Sequence, residues 1–505
     1  MDQNVAGAAG PMTLQSVSKR KGPIEAGLPD RTSIIASIAL STAMVAVAAW
    51  TEPDSIVHWS TIPTWVCGII VGPDFISWVR SRLDLFDPLG VVGALAYYLF
   101  FVAPLLTAAT NYHTRGLPVP RDWLEWIGWV SAISACGLAL YRATVALVSA
   151  VPLATSMWHL DRRRMAQAVA VALPITLAFQ VYIMSVFGGL GGLVDTVSSG
   201  SREAFAGTGW LFVLGDSFPV LVMLAALMTF RQALSRSRWQ WILVLILMFV
   251  VMRVFVGGLR GSRSNTVWSL FWLLGAIHLW IRRVTWRAVV PAALAVLAFM
   301  YLYGFYKSQG RTALETIQSV EAMREAEVRT GRTGSAILLG DLARTEIQAV
   351  LLSRVRDGVY EPALGTTYLE ALSLVIPVQI LGSRPVGKVQ KGTEALYGRE
   401  FYVAGQIEAS QVYGLVGESM LNFPPELAPL AFVAVAFAVV QIRRRWLGLH
   451  RDDPRRLLHP FWVAACLVLL SSDSGNVVVF LVRTVLVPWA FVWSCARTYR
   501  VKSRA

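Results

Sequence analysis

The side chains best placed to do chemistry in this sequence are arginines and carboxylates at the ends of apolar runs. MRVFVGGLRGSRSN carries Arg253, Arg260 and Arg263 beside Gly257, Gly258 and Gly261. Guanidinium groups bind phosphate oxygens in a bidentate way, and glycines let a phosphate approach backbone N–H groups closely. Arg263, and after it Arg260, are therefore candidate phosphate ligands. The plainer alternative is a pair of interfacial arginines snorkelling to lipid headgroups. DLARTEIQAV sets Asp341, Arg344 and Glu346 on a largely apolar helical pattern, and IPVQILGSRPVGK ends an apolar run at Arg384–Pro385. GLVGESMLNF spaces Glu418 and Asn422 four residues apart, which puts both on one helical face. Glu346, Arg384 and Glu418 suit a structural salt bridge or helix cap as well as a reaction.

Other chemistries lack their signatures. Serine and cysteine nucleophile motifs, HExxH, paired CxxC and Walker-type loops do not occur. His113 lies in an expected short outward loop and His58 near the first apolar run, neither with a partner at ligand spacing. Neither a metal, nor a cofactor, nor a covalent serine mechanism is expected. Cys67, Cys136, Cys466 and Cys495 all fall within apolar stretches, which reads as four small core residues and no disulfide.

The elements that must position these groups are membrane helices. Of 505 residues, 55% are hydrophobic and 15% charged, against about 25% charged in a soluble domain. The net charge of +14 gathers at the ends of apolar runs, so it reads as topology control and not as nucleic-acid binding. About 20 apolar residues are needed to cross the hydrocarbon core. That length places spans near 33–50, 62–79, 88–108, 123–148, 165–185, 210–230, 240–258, 264–281, 286–305, 425–442, 459–472 and 476–495. Gly72, Pro73 and Asp74 make the second the weakest. Every second connection is basic: Arg80 and Arg82; Arg162–Arg164; Arg231, Arg236 and Arg238; Arg282, Arg283 and Arg287; Arg443–Arg445 with Arg451, Arg455 and Arg456.

The expected architecture is thus an all-α polytopic bundle of about twelve spans with both termini cytoplasmic. Residues 1–32 are a cytoplasmic tail, 33–305 the first nine spans, 425–495 the last three and 496–505 a second tail. Residues 306–424 form one long outward segment, and from Lys307 to Glu418 it holds 12 basic and 13 acidic residues. Leu314, Ile317, Val320 and Met323 have helical spacing, as do Leu338, Leu342, Ala349 and Leu352, with Asp341, Arg344, Thr345 and Gln348 on another face. The segment reads as a mainly helical cap on the outer mouth of the bundle.

Several runs, in this order, resemble the Wzy-type bacterial polysaccharide polymerases. They are DPLGVVGALAYYLFFVAPLL at 87–106, GLRGSRSNTV, YEPALGTTYLEALSLVIPVQILGSRP at 360–385, SQVYGLVGESMLNF at 410–423 and SSDSGNVVVFLVRTVLVPW at 471–489. Pro424 stands where the family usually has a glycine. The resemblance implies transfer of a growing glycan from a polyprenyl-diphosphate carrier to another lipid-linked repeat unit, on the outer side of the cytoplasmic membrane. Membrane lipids and a chain-length regulator are the further partners. It also implies roles. Arg263 and Arg384, helped by Arg260 and Arg344, would meet the leaving diphosphate without a metal. Glu418 first, and Glu346 second, would take the acceptor hydroxyl's proton. A ligase-like glycan transferase shares the long loop and its arginines, and the lack of a well-placed loop histidine weighs against it. A flippase or secondary transporter would concentrate polar groups in broken helices at midmembrane, where this chain has Asp216, Pro219 and Arg253.

Overall fold

Long aliphatic runs have one low-energy solution in lipid, a helix that satisfies every backbone group internally. The computed structural model describes residues 29–148, 151–153, 156–198, 209–258, 263–309, 313, 318–331, 333–376, 378–403 and 411–499. Arg260, Leu314, Ile317 and most of both expected tails fall outside them. The chain begins with α1 (Arg31–Thr51), α2 (Thr61–Val79), α3 (Pro88–Thr110) and α4 (Trp123–Leu147). Strand β1 (Met157–Leu160) leads into α5 (Arg162–Val186) and α6 (Gly209–Thr229), followed by α7 (Trp239–Phe255). Next come α8 (Arg263–Ala276), continued by a π-helical turn to Ile281, and α9 (Trp286–Tyr306).

Seven short helices then follow: α10 (Val320–Thr330), α11 (Ala336–Leu342), α12 (Thr345–Arg356), α13 (Thr366–Ser373), α14 (Val378–Leu381), α15 (Lys388–Tyr397) and α16 (Gly414–Asn422). The chain closes with α17 (Pro425–Leu447), α18 (His459–Ser471), α19 (Ser474–Cys495) and β2 (Ala496–Tyr499), which pairs antiparallel with β1. Among the described residues nine helices are long and apolar enough to cross a membrane: α1 to α6, α9, α17 and α19. They make a multi-pass helical bundle. The remaining three expected spans coincide with α7, α8 and α18, of 17, 14 and 13 residues.

The second span is one continuous helix, and its interrupting residues are packing devices. On α1, Ser33, Ser37 and Ser41 recur every fourth residue and are fully buried. A Cβ on Gly72 would lie 2.1 Å from Ser37 Oγ, and one on Gly68 would lie 2.9 Å from Ser41 Oγ. Small residues let the two backbones approach, the usual way apolar helices bind one another in lipid. Asp74 pairs with Arg142 of α4 at 2.9 Å.

Two large buried apolar clusters dominate the core of the described residues. One surrounds Phe101, Leu138, Phe432 and Tyr413; the other surrounds Leu221, Trp272, Phe461 and Phe491. Helix α18 belongs to both, through Val463 and Cys466 on one side and Phe461, Ala464 and Val468 on the other. A helix that is apolar all round is an interior helix, and α18 is the axis of the bundle.

Three expectations change. The helical run from Leu338 to Leu352 is two helices, because the chain turns extended at Ala343. Arg344 caps the first by donating to the carbonyls of Asp341 and Ala343 at 2.5 and 2.7 Å. Cys136 is exposed on α4, unlike the other three cysteines. Polar groups within the spans exceed Asp216 and Arg253: Asp74–Arg142, Arg443–Asp87 and Arg483–Asp216 are ion pairs at 2.9, 3.0 and 2.7 Å. Arg253, 4% exposed, is held by main-chain carbonyls of Asp216, Val256 and Asn265.

Overfilling the α1–α2 seam tests the packing. Gly72→Val should lower the unfolding free energy by about 1–3 kcal/mol, and adding Ser37→Gly should restore part of it. Thermal unfolding of the detergent-purified protein, followed by tryptophan fluorescence, reads both. An unchanged midpoint in Gly72→Val would mean the helices do not meet there.

Candidate functional site

Asp473 lies in the turn between the axial helix α18 and α19, with no solvent exposure. A carboxylate this buried must be paired and hydrogen-bonded. Its Oδ1 accepts from the N–H groups of Tyr413 and Gly414 at 2.9 and 3.0 Å, which are the first free donors of α16. Lys388, at the start of α15, pairs with its Oδ2. Gly414 has φ +69°, a conformation that favours glycine, and Gln348 of α12 donates to the carbonyl of Tyr413 at 2.8 Å. One carboxylate thus joins α12, α15, α16 and α19.

Glu418 sits one turn into α16 and is 4% exposed. Its Oε1 accepts from the hydroxyls of Thr367 and Ser474 at 3.0 and 2.6 Å, and its Oε2 from Ser474 N–H at 2.6 Å. All these donors are neutral. Burial, and next to it the charge of nearby Asp473, push the Glu418 carboxyl up to about 7, against the hydrogen bonds from Ser474 and Thr367. Asn422, one turn on, donates to Thr367 Oγ1 at 2.7 Å and to the Glu418 carbonyl at 2.9 Å. The expected shared face of Glu418 and Asn422 is present, turned inward. A carboxyl that titrates near neutrality beside a fixed aspartate can both take up and give back a proton.

A row of charges runs from this pair. Arg344 is half-buried, its guanidinium set among protein atoms, which lowers its pKa, and Asp473 followed by Asp341 oppose that shift. Asp341 also pairs with Arg263, the first residue of α8, at 2.8 Å. Arg263, Asp341, Arg344, Asp473 and Lys388 therefore alternate in sign, with three basic groups against two aspartates. The sequence candidates Arg263, Arg344 and Glu418 are brought together by this row.

Arg384 stands at the rim. It is exposed and donates to the Ile376 carbonyl at 3.4 Å. Its charge, with that of Lys388, acts on Glu370, whose carboxyl burial raises above its ordinary value. Glu370 follows Thr367 by one turn of α13 and lies 2.9 Å from the Cβ position of Gly387. Arg384 does not contact Glu418; it borders the site through Glu370.

Glu346 stands apart. Its Oε2 accepts from Thr114 N–H and hydroxyl at 2.8 and 2.5 Å, and its Oε1 lies 3.2 Å from His113 Nδ1. Burial raises its carboxyl, with Thr114 opposing. Glu346 fastens α12 to the loop joining α3 and α4, and His113 is part of that fastening. Between α1 and α3, on the side of Thr51 and Thr110, lies an apolar groove of about 520 Å³ lined by Met44, Val47, Leu105 and Ala109. Among the described residues no three His, Cys, Asp or Glu side chains gather to hold a metal ion.

Sequence reading missed Asp473, Lys388, Thr367, Ser474 and Glu370. The usable signal was SSDSGN: an acidic residue at the mouth of an apolar span is expensive, which marks it for function or pairing.

The Glu418 shift gives a pH test. Its folded value of about 7 exceeds its ordinary 4.5, so the stability it contributes is present below pH 4.5 and lost as pH rises through 7. Wild type should lose on the order of 3 kcal/mol over that range relative to Glu418→Gln. Parallel stability–pH curves for the two proteins, measured by thermal unfolding, would remove the titration from Glu418.

In comparisons with protein-family models, curated proteins and solved structures, nothing matches this chain.

Proposed function

We propose that this chain is a membrane glycosyltransferase that polymerises polyprenyl-diphosphate-linked oligosaccharide repeat units on the outer side of the cytoplasmic membrane. The observation that carries the reading is Glu418, a buried carboxyl held only by neutral donors at the end of a row of arginines, with burial pushing its pKa up to about 7. The hydroxyls of Thr367 and Ser474 occupy the acceptor positions of its Oε1, where a sugar hydroxyl would take their place. In the transfer, the acceptor oxygen bonds to the anomeric carbon as the bond from that carbon to the diphosphate oxygen breaks. The hydroxyl proton passes to Glu418, and the diphosphate leaves with the bonding electron pair. Arg344 and Arg263, with Arg384 at the rim, would stabilise that charge. The groove between α1 and α3 is apolar enough for the lipid chain.

The reading includes twelve crossings, with α7, α8 and α18 completing the bundle and both termini cytoplasmic. The basic residues at alternate connections support that topology. A ligase-like transferase is the second reading, favoured by one observation: His113 is a loop histidine placed on Glu346 at 3.2 Å.

A deletion strain should accumulate single repeat units on the carrier, and only long polymer lost with single units retained supports polymerisation. If polymer persists on the carrier but is no longer passed to its final acceptor, the ligase reading replaces it. Normal polymer and normal transfer together would sink both. Glu418→Gln and Arg344→Gln should each reduce chain extension at least tenfold with normal membrane levels, scored by gel ladders of the glycan. Full-length ladders in Glu418→Gln would take that residue out of the chemistry.

A further inference from the structure

A second recess, of about 770 Å³, lies between α5 and α19 at the other end of the bundle. Its walls are apolar: Ala168 and Ile175 on α5, Leu221 on α6, Val487 and Phe491 on α19. It runs along α5 from Arg164 to Thr176, twelve residues or about 18 Å, close to the depth of one leaflet. Its mouth carries Arg164 with Trp158 and Trp493, the amphipathic rings that settle at headgroup level. Arg162, Arg163 and Arg497 flank that mouth, and all four arginines are exposed. Among the described residues two carboxylates stand at the mouth: Asp161 accepts from the N–H groups of Arg163 and Arg164 and pairs with Arg497 at 2.5 Å, and Asp453 accepts from Trp158 N–H and is paired with Arg455 at 2.6 Å. The mouth is therefore strongly basic, while the passage behind it is apolar and flanked by membrane-length helices.

We propose that this recess binds one anionic glycerophospholipid, with its phosphate at Arg162, Arg163, Arg164 and Arg497 and an acyl chain between α5 and α19. Charge complementarity names the headgroup class, since a zwitterionic lipid would leave the excess arginine charge unanswered. Depth names the chain: a leaflet-long apolar passage suits an acyl tail drawn sideways from the bilayer. The recess is separate from the transfer site and does not depend on the reading of it. Ser474 opens α19 at the Glu418 end and Val487 lines the recess thirteen residues later, about 20 Å along the helix. The ribbon β1–β2 closes over the mouth, and Arg164 donates to the Ala496 carbonyl at 3.1 Å. A lipid held there would add to the direct apolar packing of α5 against the last span, where Met165, Ala168 and Ala172 share a cluster with Phe491 and Val492.

The test is native mass spectrometry of the full-length protein released from nanodiscs of equal phosphatidylglycerol and phosphatidylcholine. Wild type should retain one phosphatidylglycerol in preference to phosphatidylcholine. Combined Arg162→Gln, Arg163→Gln and Arg164→Gln should abolish the preference, and Ala490→Phe, which fills the recess, should remove the bound lipid. Arg282→Gln with Arg283→Gln, a basic pair on another connection, should leave retention unchanged. Equal retention of both lipids by wild type would overturn the proposal. So would phosphatidylglycerol that survives both recess variants, or a retained mass in the cell-extracted protein that belongs to a polyprenyl phosphate.

Discussion

The buried carboxylate of Asp473 is the constraint around which the non-spanning helices are arranged. It emerges from the end of the axial helix α18, so its position is set by the core on both sides of that helix. Without partners it would carry a desolvation penalty of several kcal/mol. Lys388 and the N–H groups of Tyr413 and Gly414 offset that penalty, and they come from two separate helices of the segment between α9 and α17. Helices that also bury apolar side chains in the core thereby gain a polar anchor: α15 by its lysine, α16 by its N-terminus. Helix α12 follows, because Gln348 binds the same Tyr413 whose N–H is committed to Asp473.

The spans obey the same logic in a harsher solvent. Lipid offers no partner to a charge, so a charged residue on one span must find its counterpart on another. Asp74 finds Arg142, Asp87 finds Arg443 and Asp216 finds Arg483. These pairs link α2 to α4, the start of α3 to α17, and α6 to α19. Apolar packing alone discriminates weakly among such similar helices, and one misplaced charge would penalise a wrong neighbour heavily. Small residues act at closer range. On α2, Gly68 and Gly72 admit the serines of α1, and on α4 a Cβ at Gly137 would lie 2.2 Å from the Phe432 ring.

Helix identity was legible in the sequence because membrane helices are specified by continuous local composition; nine of the spans fall where apolar length places them. Gly72–Pro73–Asp74 made the second span the weakest in the sequence, since a break in hydropathy and a packing seam look alike until the partner helix is known, yet α2 runs unbroken from Thr61 to Val79. The site was legible only in its charged residues. Arg263, Arg344 and Glu418 stood out because charge beside an apolar run is rare. Thr367, Ser474 and Lys388 did not, since hydroxyls and lysines are common in polar segments and their importance comes from contacts more than 50 residues away in sequence. The break at Ala343 was equally hidden, because Leu338 to Leu352 keep helical spacing across it.

The neighbouring acids Glu418 and Asp473 differ in what donates to them, and that difference divides their roles. Asp473 receives a full cation and two helix-terminal N–H groups. Glu418 receives hydroxyls and one N–H of the turn that follows Asp473. Two close carboxylates resist carrying charge together, so the proton settles on the one whose surroundings do least for its charge. On the transfer reading, a diphosphate near Arg344 and Arg263 would add negative potential to the same pocket. That potential strengthens Glu418 as a base when an acceptor hydroxyl needs one. It also leaves a proton at hand when the product departs. On that reading the arginine row and the buried glutamate would work as one device, linked electrostatically through the aspartate between them.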